Sequence, residues 1–129
     1  MKIKQIKETC IYIHDLDQAR SFYHGQLGLP IVSYVEGKHI FFRAGTSVLL
    51  CFNPDESRNK KSPPPHFAKG KYHFAFEVAP EDYETEKQSL ISKGILITDE
   101  VIWKSGLKSC YFEDPAGNVL EIVPEGIWN

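Results

Sequence analysis

A chain of 129 residues makes one compact unit, or two small modules sharing a core. With 25% charged and 42% hydrophobic residues it has the profile of an ordinary soluble globular protein rather than a disordered or fibrous one. A formal charge of −2 leaves no electrostatic footprint for nucleic acid or an anionic membrane, so the expected partners exclude both.

Cys10, Cys51 and Cys110 lie in apolar, strand-like runs without CxxC spacing. An odd number of thiols, and an N-terminus that alternates lysine with isoleucine instead of forming an apolar leader, predict reduced cysteines and a cytoplasmic protein. No apolar run approaches the ~18 residues that span a bilayer.

In chain order, Ile3 to Ile13 alternates and then turns apolar, predicting a first strand with Glu8, Cys10 and Tyr12 on one face. Asp15 is a good N-cap for a helix from Leu16 to about Leu27, closed by Gly28 and Pro30. Three strands follow, about Ile31–Glu36, His39–Ala44 and Ser47–Asn53, with Gly37 and Gly45 as hairpin turns. Residues 54–70 hold Pro63–Pro65 and Lys60-Lys61, and read as an exposed connection: a linker or a mobile cover. Lys71–Val78 is the next strand. Pro80-Glu81-Asp82 opens a helix whose buried stripe is Tyr83, Lys87, Leu90 and Ile91, capped by Gly94. Strands close the chain at about Leu96–Trp103, Leu107–Glu113 and Val119–Val123.

The order strand, helix, strand, strand, strand therefore occurs twice. Ile13 and Val78, the ends of the two first strands, stand 65 residues apart, and that offset carries His73 onto Glu8. The predicted fold class is α+β: two tandem βαβββ modules, residues 3–53 and 71–125 joined by 54–70, forming one domain over residues 1–129. Their curved mixed sheets would enclose a cleft.

Glu121 sits between Val119-Leu120 and Ile122-Val123. A carboxylate in a buried strand costs several kcal/mol unless paired, protonated or metal-bound. On the duplicated geometry the residues converging on the cleft are Glu8, His73 and Glu121, with Leu50 or Leu49 in the fourth place. One imidazole and two carboxylates suit a divalent cation such as Zn²⁺, Ni²⁺, Mn²⁺ or Fe²⁺. Three protein ligands leave positions open, as in a catalytic site, and a ligand that lets go can act as base, a role open to Glu121 or Glu8. Each residue alone has a blander reading: His73 as a hydrogen-bonded strand residue, Glu8 as a solvated strand end. Further candidates for the cleft are His39, Arg43, Trp103, Lys104 and Tyr111. Arg43 could hold an anionic substrate group or be an exposed strand residue, and Trp103 could stack on a ligand or pack an interface. His14, His24 and His66 read as surface residues.

Ile13-His-Asp-Leu-Asp-Gln-Ala-Arg-Ser-Phe-Tyr23 with Leu27-Gly-Leu29, Tyr72-His-Phe-Ala-Phe-Glu-Val78 and Phe112-Glu-Asp-Pro-Ala-Gly-Asn-Val-Leu-Glu121 resemble the vicinal oxygen chelate superfamily. That superfamily includes glyoxalase I, bleomycin- and fosfomycin-resistance proteins and extradiol dioxygenases. The resemblance implies metal ligands at Glu8, one of Leu49/Leu50, His73 and Glu121. It departs from glyoxalase I at the leucine and from many members at Glu8, where they have histidine. It also implies a homodimer in which Glu8 meets His73 and Glu121 of the partner. Two function classes stay open. One is a divalent-metal-dependent lyase, isomerase or transferase that stabilises an enolate or oxyanion of a small oxygen-bearing metabolite. The other is a metal-free drug- or metabolite-binding protein. A subunit with a vestigial cleft is a third reading.

Overall fold

The computed structural model describes residues 1–128 and divides into two units, Met1–Gly70 and Lys71–Asn129. In the first, strand β1 (Glu8–Tyr12) leads into helix α1 (Leu16–Ala19), which continues as wider π-turns over Arg20–Gln26. Strands β2 (Ile31–Val35), β3 (His39–Ala44) and β4 (Ser47–Phe52) and the short helix α2 (Pro54–Ser57) complete it. In the second, β5 (His73–Val78) is followed by a 3₁₀ turn (Pro80–Asp82), helix α3 (Tyr83–Ser92), and strands β6 (Asp99–Ile102), β7 (Lys108–Glu113) and β8 (Val119–Pro124).

Both sheets have the same plan. Their orders are β1-β4-β3-β2 and β5-β8-β7-β6. In each, the first and last strands pair in parallel and the other neighbours are antiparallel. The α+β class and the tandem βαβββ organisation expected from the repeat are thus what the chain forms.

Each sheet buries one face under its helix. Asp15 starts α1 as predicted: its carboxylate accepts from the amides of Asp17 and Gln18, at 3.1 Å each. Ile11, Ile40, Phe42, Leu49 and Cys51 meet Leu16, Ala19, Phe22 and Tyr23, all buried, with the Tyr23 and Phe42 rings 5.4 Å apart. Each large apolar side chain withdrawn from water in this way contributes about 1.5–3 kcal/mol. In the second unit Cys110, Phe112, Leu120 and Ile122 pack with Tyr83 and Leu90 of α3. Lys87 joins them through Glu100, whose Oε2 accepts from Lys87 Nζ at 2.7 Å and from the Tyr83 hydroxyl at 2.8 Å.

Several boundaries differ from expectation for identifiable reasons. Residues 1–7 are exposed and lie outside β1: Glu8 already pairs with Val48 near the start of β4, and beyond it the Lys7 carbonyl accepts one backbone bond, from the Val48 amide. Ile91, expected in the buried stripe, is 45% exposed; α3 buries only Tyr83 and Leu90 fully. Residues 54–70 are less exposed than predicted. Pro54 and Ser57 are buried, and His66, read as a surface residue, returns to β1, where its Nδ1 lies 2.7 Å from the Tyr12 hydroxyl. Among the described residues no helix is long and apolar enough to cross a membrane.

Candidate metal centre

The sheet faces away from the helices carry the polar residues. β1 and β5 open on Glu8 and His73, which pair with Val48 and Val119. Two residues further along β4 and β8 come Leu50 and Glu121. The strand register therefore decides for Leu50 over Leu49 as the counterpart of Glu121.

In the second unit His73 and Glu121 meet on adjacent strands, with Nε2 and Oε2 3.2 Å apart. The Glu121 side chain is 8% exposed and that of His73 51%. The other ring nitrogen, Nδ1, lies 2.9 Å from the carbonyl oxygen of Val119. A carbonyl only accepts, so Nδ1 carries the proton, and in the neutral ring Nε2 presents a lone pair to the carboxylate. Two lone-pair bearers at that distance call for a cation or a proton between them. First-row metal bonds of about 2.0–2.2 Å place neighbouring ligand atoms roughly 3 Å apart, so the pair fits a divalent cation. The backbone bond at Nδ1 is the kind of support that holds a histidine ligand in its tautomer. Among the described residues, His73 is the ion-pair partner of Glu121.

Tyr111 faces Glu121 across the β7–β8 ladder, and its ring lies 6.0 Å from that of His73. Burial pushes its hydroxyl above the ordinary tyrosine range; a hydrogen bond with Ser109 opposes this, and one with Glu121 adds to it. Trp103 Nε1 donates to Ser109 Oγ at 3.0 Å. Trp103, Tyr111, His73 and Glu121, all selected from sequence, thus lie in the second sheet, Tyr111 beside His73 and Glu121 and Trp103 bonded to Ser109. Ser109 is fully buried and was missed, because a serine in an apolar strand carries no distinguishing pattern.

In the first unit Glu8 and Arg43 flank Val48 on the same sheet face, since Val48 pairs with both. Both are exposed. The Cys10 thiol, two residues beyond Glu8, is raised above the ordinary range by burial and then by the Glu8 charge. His39 stacks on Phe41 at 4.0 Å and bonds Ser33 Oγ through Nε2 at 3.0 Å, while Lys104 is exposed. Among the described residues no three His, Cys, Asp or Glu side chains gather closely enough within the chain to hold a metal ion.

The model of the Glyoxalase/Bleomycin resistance protein/Dioxygenase superfamily matches residues 5–122. The chain belongs to this superfamily. A lactoylglutathione lyase from Agrobacterium tumefaciens has the same structure with a TM-score of 0.93 and 33% identity, covering 99% of this chain and 98% of that one. The glutathione transferase FosA of Serratia marcescens is 29% identical over 93% of this chain and 80% of its own length. The structure of SMU.1112c, 30% identical, matches with a TM-score of 0.71 over 95% of this chain and 99% of that one. Members of this superfamily bind small molecules, and divalent metals are common among them.

Proposed function

We propose that the chain is a divalent-metal-dependent lyase or transferase acting on a small oxygen-bearing metabolite, with Glu8, His73 and Glu121 as metal ligands. The observation that carries this reading is the His73–Glu121 pair, 3.2 Å apart with Nδ1 already committed to Val119. That no group of three such side chains forms among the described residues of one chain is in keeping with Glu8 coming from a second copy in a homodimer. A divalent cation bound there would act as a Lewis acid on a carbonyl or oxyanion oxygen of the substrate.

The chain's own residues supply the rest. His73, with Nδ1 committed to the Val119 carbonyl, offers Nε2. Glu121, its side chain 8% exposed, brings a nearly buried negative charge, and burial is where charge counts most. Tyr111, held protonated at neutral pH, donates to developing negative charge. Glu8, exposed, would be placed to take a proton from the substrate, a role also open to Glu121. Arg43, on the face of Glu8, offers a bidentate hold on an anionic substrate group, and Trp103 a surface for stacking. Glutathione figures in the names of both the lyase and the transferase relatives, which makes a glutathione-linked reaction the first to assay.

Elemental analysis of the purified protein tests the metal: about one ion per site in the parent and a clear loss in Glu121→Ala and His73→Ala is expected. Equal stoichiometry in all three overturns the reading. Mixing Glu8→Ala with Glu121→Ala chains tests the shared site. Hybrid dimers recover one intact site only if Glu8 and the His73–Glu121 pair come from different copies.

A second reading, a metal-free ligand-binding protein, draws on Leu50 at the place of Glu121 and on the aromatic face beside it, where Phe41 and Phe52 stack edge-on at 5.2 Å. Ligand-induced stabilisation that persists in chelator, with no response to metal, would favour it.

A further inference from the structure

The turn between β7 and β8 is tied by side chains as well as by backbone. Asp114 Oδ1 accepts from the amides of Ala116 and Asn118, both at 2.9 Å. Its Oδ2 accepts from Asn118 Nδ2 at 2.8 Å. That contact fixes which way the Asn118 amide faces, and its Oδ1 accepts from the Tyr72 amide at 3.2 Å. The Tyr72 carbonyl in turn accepts from the Val119 amide at 2.7 Å. Tyr72 is therefore held at both of its backbone groups by Asn118 and its neighbour. The next residue is His73, whose Nδ1 donates to the carbonyl of Val119. Asp114 and Asn118 are 6% and 2% exposed, so the ties are made without competition from water.

The first unit provides an internal control. Its β3–β4 turn makes the equivalent backbone bond, Val48 amide to Lys7 carbonyl at 2.9 Å. Its turn residues, Gly45 and Thr46, have no such buried carboxylate–amide pair. A parallel strand pair thus forms without the clasp. Among the described residues the clasp occurs in the unit that carries His73.

We propose that Asp114 and Asn118 are positioning residues that keep Val119 O in place for His73 Nδ1, and so fix the Nε2 lone pair toward Glu121. This rests on the metal-ligand reading above for its consequence, but not for its first readout. In the metal-free protein, the ¹⁵N shifts of the His73 imidazole report the tautomer directly. The expected result is an Nδ1 that stays protonated in the parent, whether or not Nε2 shares a proton with Glu121, and a partial shift of that proton from Nδ1 to Nε2 in Asn118→Ala. Glu100→Gln, a change in the α3–β6 network, controls for general destabilisation and is expected to leave the tautomer alone. Titration with Zn²⁺, at a temperature where circular dichroism shows each protein folded, should give about 10–100-fold weaker binding in Asn118→Ala. Should Asn118→Ala not fold, Asp114→Asn keeps the side-chain shape while removing the charge that orients Asn118, and the same two measurements apply. Unchanged His73 shifts in a folded clasp variant overturn the proposal. Failure of the parent to bind metal overturns the proposed function instead, leaving the tautomer result to stand or fall on its own.

Discussion

Leu50 stands in the first repeat where Glu121 stands in the second, each two residues beyond the partner of its sheet's opening polar residue. The leucine is 9% exposed and is paired with Phe41. Leu50→Glu should therefore cost about 2–4 kcal/mol in chelator, because it buries a carboxylate without a partner. If the face of Leu50 borders the metal, added Zn²⁺ or Ni²⁺ should recover a substantial part of that loss and bind more tightly than in the parent. Urea unfolding with and without metal measures both. An identical loss under the two conditions would separate Leu50 from the centre.

The repeat makes this much legible in the sequence itself. An offset of 65 residues carries Glu8 onto His73, and the two strands do open on those residues. Periodicity also located Glu121, since a lone charge within an apolar strand has few explanations. What stayed hidden was side-chain connectivity. In the β7–β8 turn Gly117 takes a positive φ of 82°, a role glycine announces, while nothing in the sequence announces that Asn118 is committed to Asp114 and Tyr72. Residues 54–70 misled for a different reason. Their composition is polar and proline-rich, but exposure depends on where the segment lies, and the Tyr12–His66 contact spans 54 residues.

Tyr111→Phe removes the hydroxyl of the residue that faces Glu121 across the ladder and leaves the ring in place. Folding stability should change by under about 1 kcal/mol, because the hydroxyl's net contribution is that of a single hydrogen bond. Turnover, once a substrate is found, should fall by about tenfold or more with metal stoichiometry unchanged, since the lost group donates to developing charge instead of binding the ion. Comparison of kcat, KM and bound metal in the two proteins checks this. A loss confined to metal content would make Tyr111 a support for Glu121 and nothing more.

The Glu100 network sets a pH dependence for stability. Hydrogen bonds from Lys87 and then Tyr83 hold the Glu100 carboxyl below its ordinary range. Its contribution is therefore complete above the usual carboxylate value of 4.5 and is lost as pH falls through the lowered folded value. Lys87 is raised, chiefly by the same bond. Its contribution is complete below the ordinary 10.5 and is lost as pH rises through the raised folded value. The side chains are 17% and 27% exposed, so the pair is only partly screened. Glu100→Gln should destabilise by about 1–2 kcal/mol, evenly between pH 6 and 9, and the gap from the parent should close in acid. Thermal melts across pH 3–9 measure it. A gap that widens in acid would contradict the sign.

The strap formed by residues 54–70 is held to the first sheet at one main point. His66 bonds Tyr12 and sits edge-on to Phe52 at 4.6 Å, while its amide donates to the Ser57 carbonyl at 3.2 Å. Lys60 lies over the Phe52 ring at 5.3 Å and 3.6 Å from Glu56. Local openings of such a segment have their own free energy, well below that of global unfolding. Removing the imidazole takes away a hydrogen bond and two ring contacts, about 1–2 kcal/mol of local stability. His66→Ala should therefore be cut by trypsin at Lys60 and Lys61 roughly five- to thirtyfold faster than the parent, since each 1.4 kcal/mol is a factor of ten in the open population. The melting temperature should move little if the rest of the first unit, whose core lies on the opposite sheet face, folds without the strap. Equal cleavage rates would mean that the strap is held elsewhere than at His66.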